Sequence, residues 1–170
     1  MSPIRPAECM RVACASCMDF RTSSPAFADG ASIPARHTCD GEDISPRLTW
    51  SGTPLGARSL ALVVDDPDAP RGTFTHWVVY DLPADLTELG EGATQGAQGR
   101  NSFGRRGYGG PCPPPGDQPH RYRFTLYALE VPSVALRSGT REELETKIET
   151  QVLGTTALVG RYQRQRVGTR

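Results

Sequence analysis

Short segments bounded by glycine and proline constrain the fold of this chain more than any other feature. From Phe20 onward these two residue types recur at short intervals, and the segments between them carry alternating β-branched and aromatic residues. This pattern is typical of antiparallel strands joined by turns. We predict strands near residues 23–27, 47–50, 59–64, 76–82 and 121–129.

Size and charge narrow the class of protein. The chain has 170 residues, of which 37% are hydrophobic, enough for one compact core and too few for two ordinary domains. Its 19 basic and 19 acidic residues give a formal charge of zero. No overall field attracts polyanions, so we expect no nucleic-acid partner.

The hydropathy of the sequence indicates where the protein is found in the cell. No stretch approaches the ~18 consecutive apolar residues of a membrane span. The first residues interrupt every short apolar run with a polar or charged side chain, so we expect no secretory signal. The sequence therefore predicts a cytoplasmic protein without a transmembrane segment.

The first 17 residues hold three of the five cysteines, Cys9, Cys14 and Cys17. The C-x-x-C spacing of the last two is compatible with half of a zinc site or with a redox pair. Neither a second C-x-x-C nor a nearby histidine nor a βαβ unit accompanies it. We expect residues 1–17 to be an unstructured extension, which an upstream start-codon assignment would explain. The predicted domain is residues 18–165, followed by a frayed tail at 166–170.

The segment 140–154 predicts an amphipathic helix. Thr140 is a suitable N-cap and Glu143, three residues later, completes a capping box. Apolar residues then recur every four positions, at Leu144, Ile148 and Val152. We expect this helix to end at Gly154 and a second, shorter helix to form within 155–165.

Carboxylates precede a histidine in the stretch "DDPDAPRGTFTHWVVYDLP", residues 65–83. Pro67 and Pro70 stiffen the loop that carries Asp65, Asp66 and Asp68. The following strand has a period of two, which predicts one face formed by His76, Val78, Tyr80 and Leu82. Both faces are largely apolar, so the strand is predicted to be central, with His76 at its entry.

A second stretch, "GYGGPCPPPGDQPHRYRFTLYAL" at residues 107–129, repeats this arrangement. A rigid Gly/Pro loop ends at His120, and Tyr122, Phe124, Leu126 and Ala128 follow in the same parity. Two histidines thus enter two strands, each behind a proline-stiffened loop. This pattern indicates a preformed pocket.

These two stretches, together with "HTCDGEDISPRLTW" at residues 37–50, resemble the phosphatidylethanolamine-binding proteins. The resemblance is strongest to their bacterial and archaeal, Raf-kinase-inhibitor-like (YbhB/YbcL-type) branch, and runs from about residue 20 to about residue 165. It implies a mainly β fold, in which a large central antiparallel sheet packs on a smaller sheet, with C-terminal helices. It also implies a small pocket at one end of the large sheet that binds phosphate-like anions and phospholipid headgroups.

The resemblance carries over a set of ligand-binding residues, each filled here by the expected type. They are Asp66, Asp68, His76, Gly110, Pro113, Pro114, His120 and Tyr122. The connection from Pro70 to His76 is shorter than in many relatives, which affects the outer wall near Arg71 and Phe74. No cofactor, metal or catalytic residue is implied.

The residue chemistry is consistent with anion binding. Carboxylates facing His76 and His120 are expected to raise the imidazole pKa values, so that both donate to anion oxygens. Asp66 or Asp68 can accept from a protonated phosphate oxygen or an ethanolamine ammonium. The stretch contains no nucleophile paired with a base, so we expect a binding protein rather than an enzyme.

Four further hypotheses are compatible with the sequence. The cluster of Asp66, Asp68, His76 and His120 also suits a metal-dependent phosphoester hydrolase. Some relatives inhibit kinases or proteases, so a regulatory protein partner is a second hypothesis, and a homodimer is compatible with the sequence. Cys39 and Cys112 both fall near the implied pocket, where we expect free, partly buried thiols rather than a disulfide.

Overall fold

The computed structural model describes residues 19–166 and Gly168. The predicted N-terminal extension, residues 1–17, lies outside the described residues, as does most of the predicted tail. Within the described residues, no helix has the length and the apolar character needed to cross a membrane.

The described part of the chain forms eight strands in two antiparallel sheets. The small sheet has the order β1-β2-β5, with bounds Arg21–Ser23, Leu48–Ser51 and Glu88–Leu89. The large sheet has the order β6-β4-β3-β7-β8. Its bounds in that order are Ala97–Gln98, Phe74–Pro83, Ser59–Asp66, His120–Leu129 and Val152–Tyr162. The mainly β fold predicted from the sequence is confirmed.

The large sheet buries a different cluster on each face. On one face Trp77, Phe124 and Leu126 pack with Leu48, Trp50 and Leu89 of the small sheet. On the other face Ala61, Val63 and Val78 pack with Leu144 and Ile148 of the helix α1, Arg141–Ile148. Because both faces of the sheet are covered, all eight residues of β3 are buried.

The predicted start of the helix is confirmed and its predicted end is wrong. The Thr140 hydroxyl accepts a hydrogen bond from the backbone N–H of Glu143, as the capping box requires. The helix ends at Ile148, however, and the chain turns through 149–151 into β8. The predicted extension to Gly154 and the predicted second helix are therefore replaced by one long strand. Its pairing with β7 extends from Val152 to Tyr162.

Two irregularities in the pairing of β3 with β4 change which way the β4 side chains face. The register shifts once between Leu60 and Leu62 and again between Val64 and Asp65. At the second shift, Val64 pairs with Trp77 and Asp65 with Thr75, which leaves His76 as an extra residue. Such a bulge re-aims the side chain it carries.

The strict alternation predicted for β4 is therefore wrong at two positions. Val78 and Tyr80 share one face, as predicted, and pack on the side of the sheet that the helix covers. Leu82 belongs to the cluster on the small-sheet face, and the His76 ring lies 5.2 Å from that of Tyr122, a member of the same cluster.

Candidate ligand-binding pocket at the end of the large sheet

A cavity of about 420 Å³ opens where three strands of the large sheet meet. The end of β3 carries Asp66, which pairs with Phe74 at the start of β4. On the other side, Asp65 pairs with Arg123 of β7, so the first residues of β7 also reach this edge. Antiparallel pairing thus assembles residues that are far apart in sequence. The predicted site residues that line the cavity are Asp66, His76, Pro113, Pro114, His120 and Tyr122.

Asp66 and His120 form a buried acid–imidazole pair. Nδ1 of His120 lies 2.7 Å from Oδ2 of Asp66, and both side chains are less than 7% exposed. The other ring nitrogen, Nε2, lies 3.3 Å from a carboxylate oxygen of Asp117. Burial alone would lower the pKa of His120, but the hydrogen bonds and negative charges of Asp66 and Asp117 outweigh it and raise the pKa. The predicted direction for His120 is confirmed.

His76 behaves differently from the prediction. Its Nδ1 faces the backbone carbonyl oxygen of Gly109 at 2.8 Å rather than a carboxylate. Burial lowers its pKa, although the Gly109 hydrogen bond and the charge of Asp66 favour the protonated form. The expectation of a raised pKa at His76 is therefore wrong. A carbonyl oxygen only accepts, so Nδ1 of the neutral ring carries the proton and Nε2 carries a lone pair.

The Tyr122 hydroxyl is buried near the Asp66 carboxylate but forms no well-aligned hydrogen bond. The Tyr122 side chain is 1% exposed. Burial and the charge of Asp66 raise the pKa of this phenol, which keeps it protonated. A buried polar group without a partner is costly in free energy, and such groups often mark a place where a ligand or water completes the bonding.

The outer wall of the cavity is apolar. The rings of Phe74 and Phe103 contact each other edge to face, with centroids 4.8 Å apart, and each lies within 5.5 Å of the His76 ring. Pro113 and Pro114 also line the cavity. The short connection before β4 thus still places Phe74 in the wall, whereas Arg71 is absent from the cavity lining among the described residues.

Two predicted site residues lie outside the cavity. Asp68 pairs with Arg121 through two hydrogen bonds of 2.9 and 2.8 Å, and the Arg121 hydrogen bond lowers the Asp68 pKa to about 2. It belongs to a separate surface depression with Asp117 and Arg161. Gly110 does not line the cavity, and its N–H donates to Oδ1 of Asp43 at 2.7 Å.

A loop from the N-terminal third of the chain supports the pocket rim. The Tyr108 hydroxyl donates to the carbonyl of His37 at 2.6 Å, and the Cys39 N–H donates to the carbonyl of Pro111 at 3.1 Å. Cys39 and Cys112 are joined by a disulfide, with their Cα atoms 5.4 Å apart. The predicted pair of free, partly buried thiols is wrong on both counts, since both residues are also exposed.

Sequence reasoning missed three residues of this site. Ser102 and Phe103 line the cavity from a turn between β6 and β7. The sequence of this turn has no periodic pattern from which their position could be predicted. Asp43 belongs to the motif "HTCDGEDISPRLTW", which predicts no role for it. It adopts a left-handed backbone conformation with φ of 58°, which is uncommon for a residue other than glycine. The sequence does not predict this backbone conformation.

Comparison with known proteins identifies the family of the chain. The family model described as phosphatidylethanolamine-binding protein matches residues 23–163, nearly the whole described chain. The chain belongs to this family. The resemblance stated from its motifs is thereby confirmed, and the bacterial and archaeal relatives confirm its branch.

Relatives from several organisms cover most of the chain. A "UPF0098 protein" of Aquifex aeolicus is 47% identical over 148 residues, covering 83% of this chain and 86% of that protein. A Mycobacterium tuberculosis protein named "Putative lipoprotein LppC" is 44% identical over 143 residues, covering 83% and 71%. The structure of Escherichia coli YbcL, described as a new member of the mammalian PEBP family, superposes with a TM-score of 0.82. It is 33% identical and covers 87% of this chain and 100% of its own.

Proposed function

We propose that this protein binds small phosphate-like anions or phospholipid headgroups, such as phosphoethanolamine, in the cavity at the end of the large sheet. The ligand-binding residues in this proposal are Asp66, His76, Pro113, Pro114, His120 and Tyr122. Asp68 and Gly110, which the sequence also predicted as ligand-binding residues, lie outside the cavity and are not part of the proposal. Family membership supports the proposal at the level of the fold and the position of the pocket.

The observation that carries the proposal is the hydroxyl of Tyr122, which forms no well-aligned hydrogen bond. It is buried beside His76 in a cavity large enough for a phosphate group and a short substituent. An anion oxygen would satisfy this hydroxyl and remove the cost of leaving it without a well-aligned acceptor. The apolar wall of Phe74 and Phe103 would exclude water and contact the ligand's carbon atoms.

The hydrolase hypothesis required four side chains in one cluster. Asp66 lies in the cavity, but Asp68 pairs with Arg121 on the outer surface. Nδ1 of His120 is also engaged by Asp66. The four-residue donor set of that hypothesis is not assembled, so binding without catalysis is the function we propose.

A regulatory role would use the same cavity rim. A kinase or protease partner and a homodimer both remain predictions from the family resemblance. The cytoplasmic location also remains a prediction, and two observations favour an oxidising compartment instead. One is the exposed Cys39–Cys112 disulfide, which a reducing cytosol opposes. The other is that a relative carries the name of a lipoprotein.

Thermal unfolding with added ligand tests the proposal. Phosphate or phosphoethanolamine should raise the melting temperature, because a ligand that binds only the native state stabilises it. His76→Ala should abolish most of this increase. Asp68→Asn is the matched control, since that carboxylate lies outside the cavity, and it should retain the increase. If no phosphate compound stabilises the wild-type protein, the proposed function is wrong.

A further inference from the structure

A loop at residues 111–116 forms part of the cavity wall, and three of its residues line the cavity. At its start, the Pro111 carbonyl accepts a hydrogen bond from the N–H of Cys39 at 3.1 Å. At its end, the N–H of Gly116 donates to the carbonyl of Arg164 at 3.0 Å. Hydrogen bonds to distant parts of the chain therefore hold the loop at its two ends.

The middle of this loop has few backbone hydrogen bonds. Residues 113–115 are all prolines, which have no N–H to donate. No backbone carbonyl of the described residues accepts from the N–H of Cys112. The Pro114 carbonyl accepts from the N–H of Asp117 at 3.2 Å, a bond that closes a turn within the same segment. The disulfide to Cys39 is therefore the covalent link that holds the middle of the loop to the rest of the domain.

The Cys39 side of the disulfide is firmly attached. The neighbouring Asp40 carboxylate accepts from the Tyr162 hydroxyl at 2.6 Å and from Nε of Arg164 at 3.1 Å. Tyr162 is the last residue of β8, so these contacts connect the turn to the large sheet. The disulfide thus joins an anchored turn to a weakly anchored loop, and breaking it should release the Cys112 side.

The two sulfur atoms differ in their surroundings. Both cysteines are exposed, so a thiol in solution can reach the bond. Nη1 of Arg164 lies 3.8 Å from Sγ of Cys112. A guanidinium beside a sulfur stabilises the thiolate, which makes that sulfur the better leaving group in thiol–disulfide exchange. An incoming thiolate should therefore attack Sγ of Cys39 and displace Cys112.

We propose that the Cys39–Cys112 disulfide is a thiol-exchange site for a dithiol reductant, and that its reduction releases the proline-rich loop of the cavity wall. A thiolate of the dithiol forms a bond to Sγ of Cys39, and the S–S bond breaks with its electron pair on Cys112, beside Arg164. The second thiol of the reductant then displaces Cys39 from the mixed disulfide. The dithiol is oxidised to a disulfide, and its electrons and protons reduce the protein disulfide to a pair of thiols.

Release of the loop would alter the cavity itself. Pro113 is buried, and it lines the cavity together with Cys112 and Pro114. When the bond to Cys39 is broken, these residues lose their covalent link to the anchored turn, so the loop opens at a lower free-energy cost. This consequence follows from the position of the disulfide, and it does not depend on which ligand the cavity binds.

Reduction kinetics of the full-length protein test the exchange site. Cys9, Cys14 and Cys17 are replaced by serine in every sample, so that the reaction of a single disulfide is observed. In native buffer the rate of reduction should rise in proportion to the concentration of dithiothreitol, because the bond is attacked in the folded protein. A rate that does not depend on dithiothreitol would show that the bond opens only after unfolding, and the proposal would be wrong.

Glutathione identifies the sulfur that is attacked. Acid quenching and alkylation preserve the first mixed disulfide for peptide mass spectrometry. Early in the reaction we expect glutathione on Cys39 and the alkyl group on Cys112. Glutathione mainly on Cys112 would contradict the assignment of the leaving group.

Three variants test the role of the guanidinium. Arg164→Gln removes the positive charge beside Cys112, so the rate of reduction should fall several-fold. Arg164→Lys keeps a charge and should recover most of the rate. Arg47→Gln is the matched control, because Arg47 is an exposed arginine paired with Glu88 on the small sheet, and it should react like the wild type. Equal rates in Arg164→Gln and in the control would refute the role of Arg164.

Hydrogen exchange followed by NMR measures the effect on the cavity wall. In the reduced protein the N–H groups of Gly116 and Asp117 should exchange at least about tenfold faster, while the N–H groups that pair β3 with β7 keep their protection. Unchanged exchange at Gly116 and Asp117, or loss of protection throughout the sheet, would overturn the proposed release of the loop. These experiments contain no phosphate, so their failure leaves the proposed function standing.

Discussion

Nδ1 of His120 lies 2.7 Å from Oδ2 of Asp66, and both side chains are buried in the wall of the cavity. The pair joins the first residue of β7 to the last residue of β3. The pair therefore contributes both to the stability of the sheet edge and to the electrostatics of the pocket.

This pair should make the stability of the protein depend on pH. Because the folded-state pKa of His120 is raised above its unfolded value of about 6.5, its stabilisation is complete below pH ~6.5. It is lost as pH rises through the folded-state pKa. His120→Gln should therefore lower the free energy of unfolding by about 2 kcal/mol at pH 6 and by clearly less at pH 9. Urea unfolding at both pH values measures this difference.

Asp117→Asn is the control for that series. Asp117 contacts the outer nitrogen of the same ring at 3.3 Å, and its side chain is 43% exposed, so its removal should have the smaller effect. A destabilisation by His120→Gln that is constant or increases between pH 6 and pH 9 would contradict the assignment of a raised pKa.

Asp43 should act as a positioning residue for His76. Its carboxylate accepts from Gly110 N–H, and the adjacent carbonyl of Gly109 accepts from His76. Asp43→Gly removes the carboxylate but relieves the left-handed backbone, so the melting temperature should change little. Phosphate affinity should fall roughly tenfold, since the Gly109–Gly110 segment loses its support.

Asp43→Asn supplies the matched comparison, because asparagine tolerates this backbone conformation and retains a side-chain acceptor. It should recover most of the affinity. Equal affinity in the wild type and in Asp43→Gly would show that Asp43 has no role in orienting His76.

The Cys39–Cys112 disulfide should contribute substantially to stability. It closes a loop with a sequence separation of 73 residues, for which chain-entropy arguments give up to about 4 kcal/mol. The double variant Cys39→Ser, Cys112→Ser should therefore have a lower melting temperature, and dithiothreitol should lower that of the wild type but not that of the double variant. Mass spectrometry of non-reduced peptides checks the bond directly. Separate, alkylated Cys39 and Cys112 peptides from oxidised protein would refute it.

Removal of residues 1–17 should leave the domain intact. All the residues of the two buried clusters lie between Phe27 and Leu158, and the family match begins at residue 23. A chain that starts at Met18 should melt within a degree or two of the full-length protein. A decrease of many degrees would place part of the cysteine-rich segment against the domain.

Local patterns in the sequence predicted the three central strands of the large sheet and one strand of the small sheet. Alternation and turn residues gave β2, β3, β4 and β7 nearly to their ends, because side-chain parity along a strand is a local property. The parity of His120, Tyr122 and Phe124 is confirmed for the same reason. The capping box formed by Thr140 and Glu143 could also be predicted, because its two residues are only three positions apart in the sequence.

The exceptions depend on contacts between distant residues. A second, shorter helix is predicted within 155–165, but most of this segment belongs to β8 and pairs with β7 up to Tyr162. The bulge that turns His76 into the cavity exists only because β4 carries one residue more than β3 at that place. Alternation within β4 cannot reveal this.

The sequence by itself determined a mainly β domain and the identity of most pocket residues, since both follow from local periodicity and from ordered motifs. Only the tertiary structure decided their roles. It turned Asp68 outward to Arg121 and placed a carbonyl, not a carboxylate, against His76. Protonation and hydrogen-bond direction depend on burial and on the nearest partner. Packing of segments distant in sequence sets both.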